Sequence, residues 1–478
     1  MALNENAAKE IDIQNESLWT PNKVNIERIL LIGFDSLTNT PQSKGMELAP
    51  FIASVEIDQS IFSPTISMRI NIGSPIGLTE HFSKIGMQGQ EFVVVEFNTK
   101  ARRSFKMAFF VTHIQTANDP LDQITGMTLN CLSIEKLYND TSTVNKSFNS
   151  TPSQVAKKIF DNKIAKNPIA TKLKTVLNTT SDLLETPSLE VLLQSDEDLD
   201  FIIPGLTPYE AINFCARRCL SNKYKSSYFT FYQTSKGFRF DSIEARIKKG
   251  KEIIDEFTNA AKQAKGEVDP TGLFFTNQHD APLHMNFLSK SLNRNIKSMS
   301  VIDRPNTISR INEGAFFNKT RAIDLYGKNY TDTEFKIRNK YNGFERLGEH
   351  YSLSNDFVET ICENEEYDIQ YFKDSTRRNQ NFEKVIGHRL GYQDLLTTYG
   401  LNIVVPGDSE MVPGDVIWVD LGEANLARGG TGGAPLGESL FSQLWLVVGH
   451  KIMFDQGEIT STLTIVKDGL AEVSRGTA

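Results

Sequence analysis

The chain has 478 residues, of which 39% are hydrophobic and 23% charged, and its formal net charge is −8. This composition excludes a disordered or fibrous chain, and the length predicts about three domains. The acidic balance argues against a protein that grips nucleic acid by neutralising phosphates, and four scattered cysteines exclude a disulfide scaffold and suit a reducing compartment.

The N-terminus and the apolar runs carry no targeting signal. Residues 1–20 are rich in Asn and Glu and lack the apolar core of a secretory signal. The longest apolar runs, Ile29–Ile32 and Leu444–Val448, are far shorter than the about 20 residues that cross a bilayer. We therefore expect a protein that is made and assembled in a cytoplasm.

The first 135 residues predict antiparallel strands. Between Thr65 and Ile72, Ile and Met alternate with Thr, Ser, Arg and Asn, which is the period of a half-buried strand. Similar alternation occurs around residues 51–57, 91–97, 105–115 and 125–133. About six strands without a long intervening helix predict an antiparallel barrel or sandwich.

The middle of the chain mixes helices and strands. Thr151–Gln154 and Thr207–Glu210 both place Pro after Thr and an acceptor side chain three residues on, which predicts two capped helices. Residues 227–243 alternate again around a turn at Ser235–Gly237, and Glu244–Lys265 predicts an amphipathic surface helix. We expect loops over 266–300 and strands of a small α+β unit over 318–341.

The last hundred residues return to strands. They are predicted at 401–405, 416–421, 443–454 and 458–467. Asp455–Gly457 is the expected hairpin turn between the last two. Val405–Asp408 and Val412–Asp415 are two copies of one turn, in which Pro presets φ and Gly supplies a positive φ.

Three acidic residues share part of a calcium-loop pattern. Asp196, Asp198 and Asp200 have the first spacings of such a loop. However, Phe201 stands at the position that requires Gly, and Thr207 stands where a bidentate Glu is needed. We interpret the segment as a solvated acidic loop.

Cysteine and histidine pairs also fall short of a metal site. Cys215 and Cys219 lie four apart on a predicted helix, but no second pair at ligand spacing accompanies them, and small buried positions explain both thiols. Pro282 breaks any helix that would align His279 with His284. We expect no metal site, no cofactor site and no catalytic residue.

The remaining segments also match no catalytic or phosphate-binding motif. Gly429–Gly433 has no Lys-Ser/Thr after it, so we expect a flexible hairpin loop rather than a phosphate cradle. HExxH, GxSxG and GxxxxGK[ST] are absent from the sequence. Carboxylates are plentiful, but nothing singles out a pair for sugar hydrolysis. The absence of a reaction motif in a large, Phe-rich chain favours structural or assembly work.

Four groups of segments resemble the central hub subunits of contractile-tail phage baseplates. This family includes the T-even phage hub and the N-terminal part of type VI secretion spike proteins. The segments are 201–214 with 227–232 and 236–238, 314–318 with 323–324, 405–408 with 413–415, and 446–450 with 457–469. With the N-terminal strands, the resemblance spans most of the chain.

The resemblance implies an α+β, mainly β fold with two antiparallel tail-tube-like β-barrel domains and smaller α/β connecting domains. It implies the following division of the chain: an N-terminal arm (1–27), the first barrel (28–140), a helical or mixed connecting domain (141–224), a second, discontinuous barrel (225–243 and 385–470), an inserted α+β domain (244–384) and a C-terminal tail (471–478).

The resemblance also implies a non-enzymatic role in the virion tail baseplate, assembled in the host cytoplasm. In a homotrimer, six barrels would alternate in a near-sixfold ring that joins the tail tube, or its initiator proteins, to a trimeric spike formed by a separate chain. Baseplate wedge proteins are further expected partners, and DNA would pass through the lumen without specific binding. The Gly429–Gly433 loop would project towards the tube or the spike.

Two other functions stay open at this point. One is a tail-associated cell-wall hydrolase with unrecognised carboxylates, and the other is a carbohydrate-binding tail protein. A peptidoglycan zymogram separates the hydrolase from the structural hub, and trimer formation favours the hub.

Overall fold

The strands and helices come from a computed structural model. It describes residues 25–33, 45–74, 89–99, 103–118, 125–166, 187–196, 198–221, 223–224, 227–263, 274–276, 296–303, 307–312, 316–324, 329–337, 343, 345–348, 365–370, 381–407, 409, 411–420, 443–455 and 458–469.

The described strands are β1 (Asn25–Ile32), β2 (Met46–Glu47), β3 (Ile52–Ser60), β4 (Ser67–Ser74), β5 (Phe92–Thr99), β6 (Arg103–Asn118), β7 (Thr125–Ser133), β8 (Val144–Ser150), β9 (Leu189–Glu190), β10 (Leu199–Leu206), β11 (Phe229–Thr234), β12 (Gly237–Ser242), β13 (Phe274–Thr276), β14 (Ser298–Asp303), β15 (Phe317–Asp324), β16 (Asn329–Lys336), β17 (Glu365–Gln370), β18 (Tyr399–Pro406), β19 (Val416–Asp420), β20 (Gln443–Asp455) and β21 (Glu458–Lys467). The described helices are α1 (Ile134–Asp140), α2 (Pro152–Lys163), α3 (Pro208–Ala216), α4 (Ile243–Gln263), α5 (Thr307–Asn312) and α6 (Asn381–Leu396).

One long sheet joins the two ends of the chain. Its strand order is β14-β18-β21-β20-β3-β4-β7-β6-β5-β1-β2, and neighbours on this path are antiparallel. The junction is β3 against β20, where the register runs from Ser54 opposite Asp455 to Ser60 opposite Gly449. The prediction of a mainly β chain with antiparallel sheets is confirmed.

The N-terminal strands curl around one core. Ile29 of β1, Val55 of β3 and Leu129 of β7 are buried in the same cluster, although β1 and β3 lie far apart in the strand order. Ile452 and Phe454 of β20 complete the cluster from the C-terminal half. No hydrogen-bonded pair between the described strands closes the sheet on itself, so the closed barrels stay a prediction.

Part of the C-terminal sheet is buried on both faces. On one face Trp445, Ile403 and Ile465 pack together, and on the other Leu446 and Val466 pack against α4 and α6. The start of α4 is therefore a core element rather than the surface helix that its charges predict. Its Ile243, Ile247 and Ile254 side chains are all buried in the second cluster.

The β11–β12 hairpin bonds differently from the sequence-based expectation. It was expected to supply residues 225–243 to the sheet of the C-terminal strands, but β12 pairs instead with β9, through Phe238 opposite Leu189. The reason is a face of four phenylalanines that packs against the core of α2 and α3. These residues are Phe229, Phe231, Phe238 and Phe240. The hairpin contacts the C-terminal half by packing, through Tyr228 and Tyr232.

Both predicted capped helices are present, as α2 and α3. In α3 the Glu210 carboxylate accepts hydrogen bonds from the Thr207 backbone N–H at 3.0 Å and from the Thr207 hydroxyl at 2.9 Å. In α2 the Thr151 hydroxyl accepts from the Gln154 N–H at 3.4 Å. Each cap satisfies backbone donors that a helix start leaves without an intrahelical partner.

We expect Thr207→Val to lower the free energy of unfolding by about 0.5–2 kcal/mol. The valine side chain keeps the shape of threonine, but it cannot bond to Glu210 or to the helix N-terminus. Urea denaturation of the two proteins measures the difference. A Thr207→Val protein that melts normally but loses a catalytic activity would contradict the structural role of this segment.

Candidate functional site

A broad solvent-facing surface of the long sheet runs across the β3–β20 junction; we call it the polar face. It is made of the side chains that point away from the core on β18, β21, β20, β3, β4, β7 and the end of β6. Cross-strand pairing aligns them in rows. The members are Ser54, Glu56, Asp58, Ser67, Arg69, Asn71, His113, Gln115, Thr128, Asn130, Asn402, Val404, Lys451, Met453, Asp455, Glu458, Thr460, Thr462 and Thr464.

Some hydroxyl and amide side chains of the polar face bond to one another. Asn71 donates from Nδ2 to Ser54 Oγ at 2.8 Å and accepts at Oδ1 from Thr128 Oγ1, also at 2.8 Å. At the other end Thr464 Oγ1 donates to Asn402 Oδ1 at 2.8 Å. Because these groups satisfy each other, they offer fewer free donors to a passing ligand.

The charges of the polar face gather at the junction of the two halves. Lys451 Nζ on β20 lies 2.8 Å from Glu56 Oε2 on β3. Burial and the neighbouring Glu56 raise the pKa of Asp58, while Lys451 and Arg69 oppose the shift. With Asp455 and Glu458 the polar face carries more carboxylates than cations, so its field is weakly negative.

The two ends of the long sheet present strand edges. At one end β14 pairs only with β18 among the described strands, and its Met299, Val301 and Ile302 side chains are 46%, 41% and 47% exposed. At the other end β1 pairs with β2 only at Leu30 and Leu31. Exposed apolar edge strands are templates for pairing with another chain.

The β11–β12 hairpin holds the N-terminal half in place through Gln233. Its buried amide oxygen accepts from Ser133 Oγ at 2.6 Å and from the Ile66 N–H at 3.3 Å, and its nitrogen donates to Glu135 Oε2 at 3.1 Å. Burial raises the pKa of Glu135, and the hydrogen bonds from Gln233 and Ser133 oppose that shift. The hairpin thus fixes the orientation of β4 and β7.

The same hairpin holds the C-terminal half through Arg239. This guanidinium donates from Nη1 to the Pro413 carbonyl at 2.9 Å and lies 3.4 Å from Asp415 Oδ1. The Val412–Asp415 turn that receives it has the predicted positive φ, +91°, at Gly414, whereas Gly407 of the Val405–Asp408 turn lacks the positive φ predicted for it. One hairpin therefore contacts both halves of the long sheet.

A buried charge network supports the hairpin from the α4 side. Asp241 is fully buried; its Oδ1 accepts from the Leu192 N–H at 2.8 Å and its Oδ2 from Arg246 Nε at 2.7 Å. Glu190 Oε2 accepts from Arg246 Nη2 at 2.8 Å, and Glu190 Oε1 from Lys249 Nζ at 3.1 Å. Burial opposes the ionisation of Glu190, but Arg246 and Lys249 outweigh it and lower its pKa to about 2.

The lowered pKa of Glu190 predicts a pH-dependent contribution to stability. The ionised carboxylate is stabilising above its ordinary pKa of 4.5, and this contribution is lost as the pH falls towards about 2. We expect the stability difference between wild type and Glu190→Gln to be constant near neutral pH and to shrink over that acidic range. Denaturation midpoints at a series of pH values measure it, and a difference that grows on acidification contradicts the assignment.

The residues weighed as metal ligands lie in structural positions. Asp200 is on β10, where its carboxylate accepts from the Asn149 side chain. Cys215 and Cys219 are buried together, and Cys219 Sγ donates to the Cys215 carbonyl at 3.3 Å. Burial raises the pKa of Cys215 to about 12 and that of Cys219 well above its usual value, so both stay thiols.

Several other candidates cannot be placed. His279, His284 and Gly429–Gly433 lie outside the described residues. Within the part of the chain that the structure describes, no group of three or more His, Cys, Asp or Glu side chains is arranged to hold a metal ion. No helix there is long and apolar enough to cross a membrane.

One serine–histidine pair escaped the sequence analysis. Ser227 Oγ lies 3.0 Å from His388 Nδ1, within the range of a nucleophile and its base. Both side chains are buried. The His388 imidazole is stacked on the Tyr392 ring, and the Phe335 ring packs against the imidazole edge-on. The Ser227 hydroxyl is also 3.1 Å from the Val385 carbonyl, so the pair ties the hairpin region to α6.

Comparisons with known proteins give similarity in fold only. No family model and no curated protein matches the chain. Similar solved structures include the tail protein from Neisseria meningitidis MC58, at 12% identity and a TM-score of 0.47, over 93% of this chain and 97% of that one. The 43 kDa tail protein of prophage MuSo2 from Shewanella oneidensis has 9% identity and a TM-score of 0.49, over 93% and 99%.

A chain of the Francisella PdpA-VgrG complex is similar at 11% identity and a TM-score of 0.44, over 98% of this chain and 56% of that one. The solved structures to which this chain is similar thus include tail proteins and a VgrG-containing complex.

Proposed function

We propose that the protein is a structural hub subunit of a contractile phage tail or a related injection particle. Three copies close a ring that adapts the sixfold tail tube to a threefold spike and lines the channel for DNA. The spike is a separate chain, and the hub itself catalyses no reaction.

The observation that carries the proposal is the edge-to-edge union of the two antiparallel halves. β3 and β20 pair over the span from Ser54 to Ser60, so one chain already supplies two neighbouring halves of a continuous sheet. Three such chains present six halves, which is how a trimer can match a sixfold partner. The β11–β12 hairpin contacts both halves and keeps their relative orientation fixed.

The free edges support the closure of the ring. A head-to-tail contact between β14 of one copy and the β1–β2 edge of the next would cover Met299, Val301 and Ile302. Heterologous contacts of this kind form closed rings when the rotation between neighbours closes. Covering the edges also removes the aggregation hazard that they present in an isolated chain.

The polar face supports the role as a channel lining. Several of its hydroxyls and amides bond to one another, and its net charge is weakly negative. A surface of this kind repels DNA phosphates at long range, and its internal bonds leave fewer donors for them at short range. DNA would therefore slide past it rather than bind.

The native mass of the purified chain tests the proposal. We expect a species of three chains that associates with a trimeric spike protein, and no clearing on a peptidoglycan zymogram. A stable monomer in the presence of the spike would contradict the hub role. Clearing of the zymogram would favour the hydrolase, and binding to cell-surface glycans by the monomer would favour the carbohydrate-binding protein.

A charge reversal tests the lining separately. The double variant Glu56→Lys/Asp58→Lys changes the charge around Lys451 by +4, so the assembled ring should retain double-stranded DNA in a mobility-shift assay at physiological salt, whereas wild type should not. A matched double variant at two exposed residues outside the polar face, Asp161→Lys with Asp198→Lys, makes the same change of charge and should not retain it. Equal retention by both variants would place the polar face away from the channel.

A further inference from the structure

A cluster of basic residues stands out on this acidic chain. Residues 217–225 contain four Lys or Arg and no Asp or Glu. Residues 246–251 also contain four Lys or Arg and no Asp or Glu. The two segments meet in the fold, since Lys223 Nζ lies 5.3 Å and Lys248 Nζ 5.5 Å from the centre of the same ring, that of Tyr224. Two ammonium groups thus converge on one aromatic side chain.

Arg389 on α6 packs against the next tyrosine along the chain, Tyr228. Its Cζ lies 5.1 Å from the centre of the Tyr228 ring, and its Nη1 donates to the Phe229 carbonyl at 2.9 Å. Burial lowers the pKa of Arg389, while Tyr228 opposes that shift and the Arg217 charge adds to it. Of these cations, only Lys223 and Lys248 meet at one ring, and we call Lys223, Tyr224 and Lys248 the cation cluster.

Among the described residues, neighbouring cations are paired with carboxylates, whereas those of the cation cluster are not. Arg246 pairs with Asp241, Lys249 with Glu190 at 3.1 Å, and Lys251 with Glu345 at 3.6 Å. In the described part of the chain, no carboxylate lies within 4.0 Å of the side-chain nitrogens of Arg217, Lys223, Lys248 or Arg389. Like charges held together without a counter-charge are unfavourable unless a ligand supplies one.

We propose that the cation cluster is a docking site for an acidic segment of a partner protein. Glutamate or aspartate side chains of the partner would pair with the ammonium groups of Lys223 and Lys248. The site lies outside the polar face and the strand edges, so it does not depend on the proposed hub role.

The local chemistry favours a protein segment over nucleic acid. Single-stranded nucleic acid is bound by stacking bases on free aromatic rings along a cationic groove. Here two ammonium groups already lie over the Tyr224 ring, and the cations form one compact group rather than a track for a phosphate backbone.

Fluorescence anisotropy with the full chain and a labelled decaglutamate peptide tests the proposal. A labelled oligothymidylate of equal charge measures the binding of nucleic acid in the same assay. We expect wild type to bind decaglutamate at low salt, and Lys223→Gln/Lys248→Gln to weaken binding about tenfold or more by removing two charge contacts. The control Lys157→Gln/Lys158→Gln removes the same charge from the exposed side of α2 and should stay within about twofold of wild type.

Three results would overturn the proposal: no binding of decaglutamate by wild type, equal weakening by the control, or tighter binding of oligothymidylate than of decaglutamate. The last result would assign the cation cluster to nucleic acid. Thermal melting of both double variants should match wild type, since all four replaced lysines are at least partly exposed.

Discussion

Replacing Asp241 with alanine is expected to lower the free energy of unfolding by about 3–5 kcal/mol, because it leaves a buried guanidinium without its main partner. Asp241 is fully buried and accepts from Arg246 Nε at 2.7 Å. The remaining partner of Arg246, Glu190, is partly exposed and cannot replace a buried carboxylate. The Leu192 N–H also loses its acceptor.

Urea denaturation of wild type and Asp241→Ala measures the loss. Asp255→Ala is the matched control, since Asp255 is exposed on α4 and its loss should change stability by no more than about 0.5 kcal/mol. If the two substitutions have equal effects, the charge network does not hold the hairpin against α4. The result bears on function because this hairpin contacts both halves of the long sheet.

Gly414→Ala is the second substitution with a large expected effect. Gly414 has φ +91°, and a Cβ there would lie 2.3 Å from Tyr232 Oη. The strained backbone should cost about 1–3 kcal/mol, and the close contact should add about 1–3 kcal/mol. The expected result is a loosened contact between the hairpin and the C-terminal half.

A double variant separates the close contact from the backbone strain. Tyr232→Phe removes the oxygen that the new Cβ would meet, so Gly414→Ala should cost less in a Tyr232→Phe background than in wild type. Gly73→Ala is the control for replacing a glycine, because a Cβ there meets nothing within 4 Å. Equal costs of Gly414→Ala in both backgrounds would show that the contact with Tyr232 does not matter.

Local patterns predicted the individual elements well. The alternation between Thr65 and Ile72 corresponds to β4, and Met68 and Ile70 of β4 are buried in one cluster with Ile66, the residue before the strand. Thr151 and Thr207 cap α2 and α3 as their spacing predicted. These features depend on contacts within a few residues, which a sequence displays directly.

Long-range pairings could not be predicted in the same way. The contact of β3 with β20 joins residues about four hundred positions apart, and no local signal records which edges meet. The Ser227–His388 and Gln233–Ser133 bonds also join residues a hundred or more positions apart. In β5 the alternation suggested one buried face, but Glu96 is buried too, because Lys106 lies 2.7 Å from it.

The basic residues near the cation cluster are evident in two short segments of the sequence but not in the overall composition. The net charge of −8 describes the whole chain, whereas the basic residues gather in 217–225 and 246–251. Charge must therefore be assessed by segment as well as by sum. Only the fold shows that both segments reach Tyr224.

The most direct test of the ring is a crosslink between the two free edges of the long sheet. In a Cys362→Ser background, where the described cysteines are buried, Val301→Cys on β14 and Glu27→Cys on β1 place one thiol at each edge. With a short bis-maleimide, the ring predicts covalent dimers and trimers that end at three chains, and either single variant should fail to give the trimer. Exclusively monomeric chains, or a ladder that continues beyond three, would contradict a closed trimeric ring.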